Sequence, residues 1–174
     1  DDGWFGNKYP RNAANAGLGD WQVNRKKLPA GIDDIASYAH RKGLKFGIWI
    51  EPEMVNLKSE LAERHPDWIV RPPKREAPET RKQWLLDLSN PAVQDFVFET
   101  FDNTMKLSDK IDYIKWDANR NANNVGSAYL PADEQSRFWI DYAQGFYKVM
   151  ERIRAKYPDV LIQACASGGG RVEY

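Results

Sequence analysis

Apolar and polar positions along this chain alternate with two different periods. Three runs, "LKFGIWIEPEMV" (44–55), "IDYIKWDANR" (111–120) and "DVLIQACASGGG" (159–170), have the short apolar stretches of buried strands, and each follows a segment with helical spacing. In "GIDDIASYAHRKG" the apolar residues Ile32, Ile35, Ala36 and Ala39 recur at helical intervals, and Gly43 stops the helix. "NPAVQDFVFETFDNTMKLSD" opens with Asn90 as N-cap and Pro91 at the first helical position. "PADEQSRFWIDYAQGFYKVMERIRAKYP" predicts a longer helix. Phe138, Ile140, Tyr142, Phe146, Val149, Met150 and Ile153 form its stripe, and Pro158 ends it. Strands alternating with helices predict parallel βα units. Between the first two units, "WIV" (68–70) and "QWLLDLS" (83–89) predict a small hairpin or lid around the exposed loop "RPPKREAPETRK".

Strand parity narrows the architecture, because side chains alternate faces with a period of two. Phe46, Ile48 and Ile50 share one face, while Gly47, Trp49 and Glu51 share the other. Ile114 and Trp116 oppose Tyr113, Lys115 and Asp117, and Gln163, Cys165 and Ser167 oppose Ile162, Ala164 and Ala166. Each strand therefore has one greasy face and one face of polar or aromatic groups concentrated near its C-terminal end. An open doubly wound sheet is covered by helices on both faces and needs both apolar. A (β/α)8 TIM barrel turns only its outer face to helices, and its strand C-termini ring the active site. The alternation favours the barrel. Counting one strand implied before Asp1, four strand ends are visible, so the α/β fold expected is about half of a (β/α)8 TIM barrel. Residues 1–174 form one partial domain, and the opening "DDGWFG" predicts a fragment of a longer protein.

Lys115 and Asp117 put full charges among strand residues, where burial without partners is costly. A neighbouring cation favours an ionised carboxylate, which suits a nucleophile or an electrostatic stabiliser. The bland alternative is an ion pair that closes the end of the sheet. "DDGWFG" adds two carboxylates, a glycine turn and two aromatics, and "CASGGGR" allows close backbone approach to a ligand. Neither GxxxxGK[ST] nor GxGxxG is present, so a phosphate loop is poorly supported. Glu51 and Glu53 of "EPEMV" compete with Asp117 for carboxylate chemistry, although Pro52 between them suits a rigid structural turn. With two His, one Cys and no HExxH, no metal or other cofactor is called for, and no GxSxG elbow supports a serine triad.

Composition closes off other classes. Lys+Arg and Asp+Glu balance at 25 each, so no basic surplus points to nucleic acid or an anionic membrane. No apolar run approaches the roughly 20 residues of a membrane span. The lone Cys165 favours a reducing compartment, and a cytoplasmic location is the expectation. Seven Trp and eight Tyr suit stacking on sugar rings. Carboxylates and aromatics at strand ends leave carbohydrate as the natural substrate class.

"DDGWFG", "GLGDW", "FGIWIEPEMV", "YIKWDANR" and "CASGGGR", in this order over nearly the whole chain, resemble the catalytic barrel of glycoside hydrolase family 36, the α-galactosidases. The resemblance implies a retaining hydrolase of α-galactoside oligosaccharides. Asp117 would be the nucleophile that forms a covalent galactosyl intermediate. It implies that Asp1 and Asp2 bind galactose hydroxyls and that Trp49 contacts the sugar. Arg81, Lys115 and Asn119 would be polar ligands, with Cys165 and Gly168 near the 2-hydroxyl. The family's acid/base aspartate lies on a later strand, beyond Tyr174, and Glu173 stands where the family often has Asp. A galactosyltransferase that makes raffinose-type sugars, or a sugar-binding half-barrel without turnover, remains the alternative. The exposed strand edges of a half-barrel predict self-association of the fragment.

Overall fold

The first strand, β1 (Phe46–Ile50), ends in a turn at Glu51–Glu53 and continues into the two-residue β2 (Met54–Val55). This is a computed structural model that describes residues 2–166. In chain order the helix α1 (Ile32–Arg41) precedes β1, and α2 (Glu60–Arg64) follows β2. Then come β3 (Trp84–Leu85), α3 (Pro91–Met105), β4 (Ile111–Trp116), α4 (Phe138–Lys156) and β5 (Leu161–Ala164). Strands β1, β4 and β5 pair in parallel in that order, with Ile48, Ile114 and Ile162 in register across the sheet. The strand–helix–strand order expected from the sequence is present, so the chain is mixed α/β with a parallel sheet.

Parity sorts the sheet as period two requires. Ile48, Ile50, Ile114 and Trp116 are buried in one core with Val97 and Phe101 of α3 and Phe138, Val149 and Ile153 of α4. The Trp116 ring sits between these helices, 6.2 Å from Phe101 and 6.1 Å from Phe146. On the opposite face Tyr113 and Lys115 are half-buried and Gln163 is exposed, with Tyr113 donating a hydrogen bond to Gln163 Oε1. Gly47 on that face is required by sterics, since a Cβ there would lie 2.3 Å from the Tyr113 ring.

Local signals explain most element ends. Asn90 caps α3 by accepting the Ala92 N–H, and Pro91 stands at its first turn. Gly43 follows α1 with φ +74°, the left-handed geometry of a helix stop. The "GLGDW" loop caps α2: the buried Asp20 carboxylate accepts Glu60 N–H at 2.9 Å and Leu61 N–H at 3.1 Å. The "WIV" and "QWLLDLS" segments do meet, through an antiparallel bridge between Ile69 and Leu86. β3 also pairs antiparallel with β2, which ties this excursion to the end of β1.

Two expectations need correction. α4 starts at Phe138 rather than near Pro131: a single 3-10 turn, Gln135–Arg137, precedes it, and Gln135 spends its side-chain amide on Ser127 O (2.9 Å) and Leu130 O (2.7 Å). Ile140 leaves the apolar stripe and is exposed, since it lies two residues, roughly 200°, from Phe138. Among the described residues no helix is long and apolar enough to cross a membrane.

Candidate active site

Asp117, Trp49, Asn119, Arg81 and Cys165, five of the residues that the sequence singles out, come together at the C-terminal ends of β1 and β4. The Asp117 N–H donates to Ile50 O at 2.8 Å, extending the β1–β4 ladder by one residue and fixing where the carboxylate emerges. Trp49 Nε1 donates to Asp117 Oδ2 at 3.0 Å, and the Ala118 N–H donates to Oδ1 at 3.0 Å. Asn119 gives its side-chain amide to the same Oδ2, and the Cys165 thiol adds another hydrogen bond. Burial alone would raise the Asp117 carboxyl, but these donors more than offset it and hold it below the usual carboxylate range.

Lys115 is not among the groups that hold Asp117. It lines an open hollow of about 350 Å³ with Gly47, Ile48, Trp49 and Tyr113 on the face away from the helices. The expected stabilising cation is thus replaced by neutral donors.

Trp49 is buried, stacked on Phe5 with centroids 6.2 Å apart and flanked by Trp21. The Trp4 indole donates to Trp49 O at 2.9 Å, so the "DDGWFG" loop is latched to the end of β1. Asp2 is exposed and bound by Arg11 Nε at 3.1 Å. Arg81 Nη1 donates to Asn119 Oδ1 at 3.3 Å, which leaves the Asn119 amide nitrogen for Asp117. Asp1 and Gly168 lie outside the described residues, as does Glu173.

Glu51 and Glu53 are both fully buried but differ in surroundings. Glu53 accepts Trp116 Nε1 at 2.8 Å and the Tyr142 hydroxyl at 3.0 Å, joining β4 to α4. Glu51 accepts the Asn119 N–H at 2.5 Å and Gln83 Nε2 at 3.1 Å, beside Asp117. Burial pushes the Glu51 carboxyl up to about 7; the Asn119 hydrogen bond opposes this, and the Asp117 charge adds to it. Sequence reasoning missed Gln83 and Arg11. Gln83 opens an apolar run with no periodic signal, and Arg11 sits in a loop whose partners are long-range.

The arrangement supplies one ionised, hydrogen-bonded carboxylate beside an open face lined by polar and aromatic groups. The family profile for Melibiase matches residues 1–174. Alpha-galactosidase 1 of Pediococcus pentosaceus is 43% identical over 173 residues, 99% of this chain and 23% of that protein. The crystal structure of the alpha-galactosidase AgaB from Geobacillus stearothermophilus, of glycoside hydrolase family 36, superposes with a TM-score of 0.93 at 43% identity. It is matched over 98% of this chain and 23% of its own. A variant of the alpha-galactosidase AgaA from the same organism, crystallised in complex with raffinose, gives 0.92 at 44% identity, covering 98% of this chain and 23% of that one. The chain thus spans under a quarter of the length of these relatives.

Proposed function

The chain belongs to the Melibiase family, and from that premise we propose that it is the nucleophile-bearing part of a retaining α-galactosidase. The 1–174 stretch forms about half of a (β/α)8 barrel whose remainder lies elsewhere in the full-length protein. Asp117 attacks the anomeric carbon of a terminal α-linked galactose. The glycosidic bond breaks, the leaving-group oxygen takes a proton from an acid outside this chain, and a galactosyl-aspartate ester forms. Water, deprotonated by the same group, then releases galactose. Asp1, Asp2, Trp49, Arg81, Lys115, Asn119, Cys165 and Gly168 surround and orient the sugar. The substrates are α-galactoside oligosaccharides such as raffinose, the sugar held by the AgaA variant.

The observation that carries this reading is the state of Asp117: a carboxylate held low by Asn119, Trp49 and Cys165 at a strand C-terminus. The 174-residue chain alone, without an acid/base partner, does not turn over. In the full-length protein, Asp117→Asn lowers hydrolysis of an aryl α-galactoside by at least about a thousandfold, with galactose binding retained. Near-normal turnover in that variant removes the nucleophile assignment. A folded full-length protein that binds galactose but hydrolyses no α-galactoside leaves a sugar-binding module instead.

A further inference from the structure

Glu51 lies one residue beyond β1, is fully buried, and has no part in the reaction described above. Its two oxygens are engaged within the protein, on the Asn119 backbone and the Gln83 amide. A carboxyl group so enclosed does not touch a sugar, which separates it from an acid/base. Yet burying a carboxyl costs stability unless every lone pair finds a donor, so a purely structural position favours an apolar side chain.

We propose that Glu51 is a positioning residue that fixes Asn119, and through it Asp117, in the geometry needed for attack. The inference rests on Asp117 being the nucleophile. Asn119 is held at three points: its backbone N–H by Glu51, its Oδ1 by Arg81, and its amide nitrogen on Asp117 Oδ2. Arg81 and Asp117 together fix which way the amide points. Glu51 fixes where it sits. Without that anchor the "DAN" turn is free to carry the amide away from the carboxylate.

A second observation concerns the proton. Among the described residues Gln83 Oε1 is buried without a partner while Gln83 Nε2 donates to Glu51. A protonated Glu51 has a hydroxyl to offer that oxygen after the amide turns over, so the pair has two hydrogen-bonded arrangements. The charged and polar groups acting on Glu51 are Asp117 and Asn119 past β4, Gln83 before β3, and Arg11 from the N-terminal loop. Burial pushes Glu51 up to about 7, so its charge changes within the range where the enzyme is assayed.

The test uses the full-length protein, assayed on an aryl α-galactoside across roughly pH 5 to 9. Glu51→Ala is expected to lower kcat about a hundredfold while KM moves less than about threefold, the signature of a misplaced reacting group. Glu51→Gln keeps an acceptor for the Asn119 N–H without a charge. It is expected to restore kcat to within about tenfold of wild type and to lack the inflection near pH 7 expected of the wild-type protein. Wild-type kcat in the alanine variant, or an inflection that survives in the glutamine variant, overturns the proposal. If the alanine variant does not fold, the glutamine profile decides alone. Asp117→Asn, run alongside, keeps the two readings apart. An inactive Asp117→Asn with unaffected Glu51 variants removes only the role of Glu51, whereas an active Asp117→Asn removes both.

Discussion

Arg81 and Lys82 both have left-handed backbone, with φ of +56° and +62°, between the bridged residues Thr80 and Gln83. Two positive φ values in succession mark the tight hairpin turn that normally takes Asn or Gly. Each such non-glycine residue carries about 1–2 kcal/mol of steric cost. At Arg81 that geometry delivers a guanidinium to Asn119. The Lys82 side chain makes an exposed pair with Glu79 at 3.6 Å, a contact of little energetic weight. Lys82→Gly is therefore expected to raise stability by about 0.5–1 kcal/mol, the relief of strain less the entropy of a glycine. Urea unfolding should show a higher midpoint at unchanged slope, and a lower midpoint refutes the strain argument. Residue identity at the candidate site is partly legible in the sequence. Asp117 stood out because period-two alternation puts a charge on the non-helical face at a strand end. Its donors did not: Trp49 lies 68 residues earlier in the chain, and no local rule ties its indole to that carboxylate. Lys115 was the natural guess because it is near in sequence, but the groups that hold the carboxylate are Asn119, Trp49 and Cys165.

At the scale of elements, the contact between α4 and the segment entering α3 depends on Gly145. A Cβ there would lie 2.0 Å from the Leu88 carbonyl oxygen and 2.8 Å from Gln94 Nε2, the group that donates to that carbonyl. Backbone cannot yield as a side-chain tip can, so Gly145→Ala should destabilise by about 1–3 kcal/mol despite its better helix propensity. A variant as stable as wild type in urea would mean that α4 shifts freely. Asp102 on α3 is a second link. Burial opposes its ionisation, but Lys106, Lys156 and the Tyr157 hydroxyl overcome this and hold its carboxyl well below the usual range. A folded pKa below the unfolded value of about 3.9 stabilises above that pH, and the contribution disappears as pH falls toward the folded value. Asp102→Asn should lower stability at neutral pH and flatten the acid limb below about pH 4, measured by urea titrations at several pH values. Equal acid limbs in the two proteins would remove Asp102 from the clamp. Helix existence followed from the sequence because apolar spacing and caps are local. The start of α4 did not, because Gln135 answers to Ser127 and Leu130 in a loop. Nor did the "GLGDW" cap of α2, which reaches across 40 residues.

For the whole molecule, alternating faces were enough to predict a sheet with helices to one side, since that asymmetry is written into every strand. They could not say what lies beside the outer strands. Among the described residues β1 and β5 are the outer strands of the parallel sheet, so each lacks a strand partner on one side. Leu161 on β5 is 61% exposed, and α4 turns Trp139, Ile140 and Tyr147 outward. Formal charge is +0 at pH 7, so no net repulsion keeps copies apart. Edge, patch and neutrality act in the same direction. The isolated 174-residue chain is expected to dimerise or aggregate at roughly 10–100 µM, the range where unpaired edges and apolar patches find each other. Sedimentation velocity would show this as a species that grows with concentration. Leu161→Lys places a charge on the β5 edge and should shift the population toward monomer, which separates edge pairing from contact through α4. In the full-length protein, where further strands are proposed to continue the barrel past β1 and β5, the same substitution should leave the sedimentation coefficient unchanged. A monodisperse monomer of the unaltered chain throughout that range would show that these edges are already protected, and the half-barrel proposal would lose its main physical consequence.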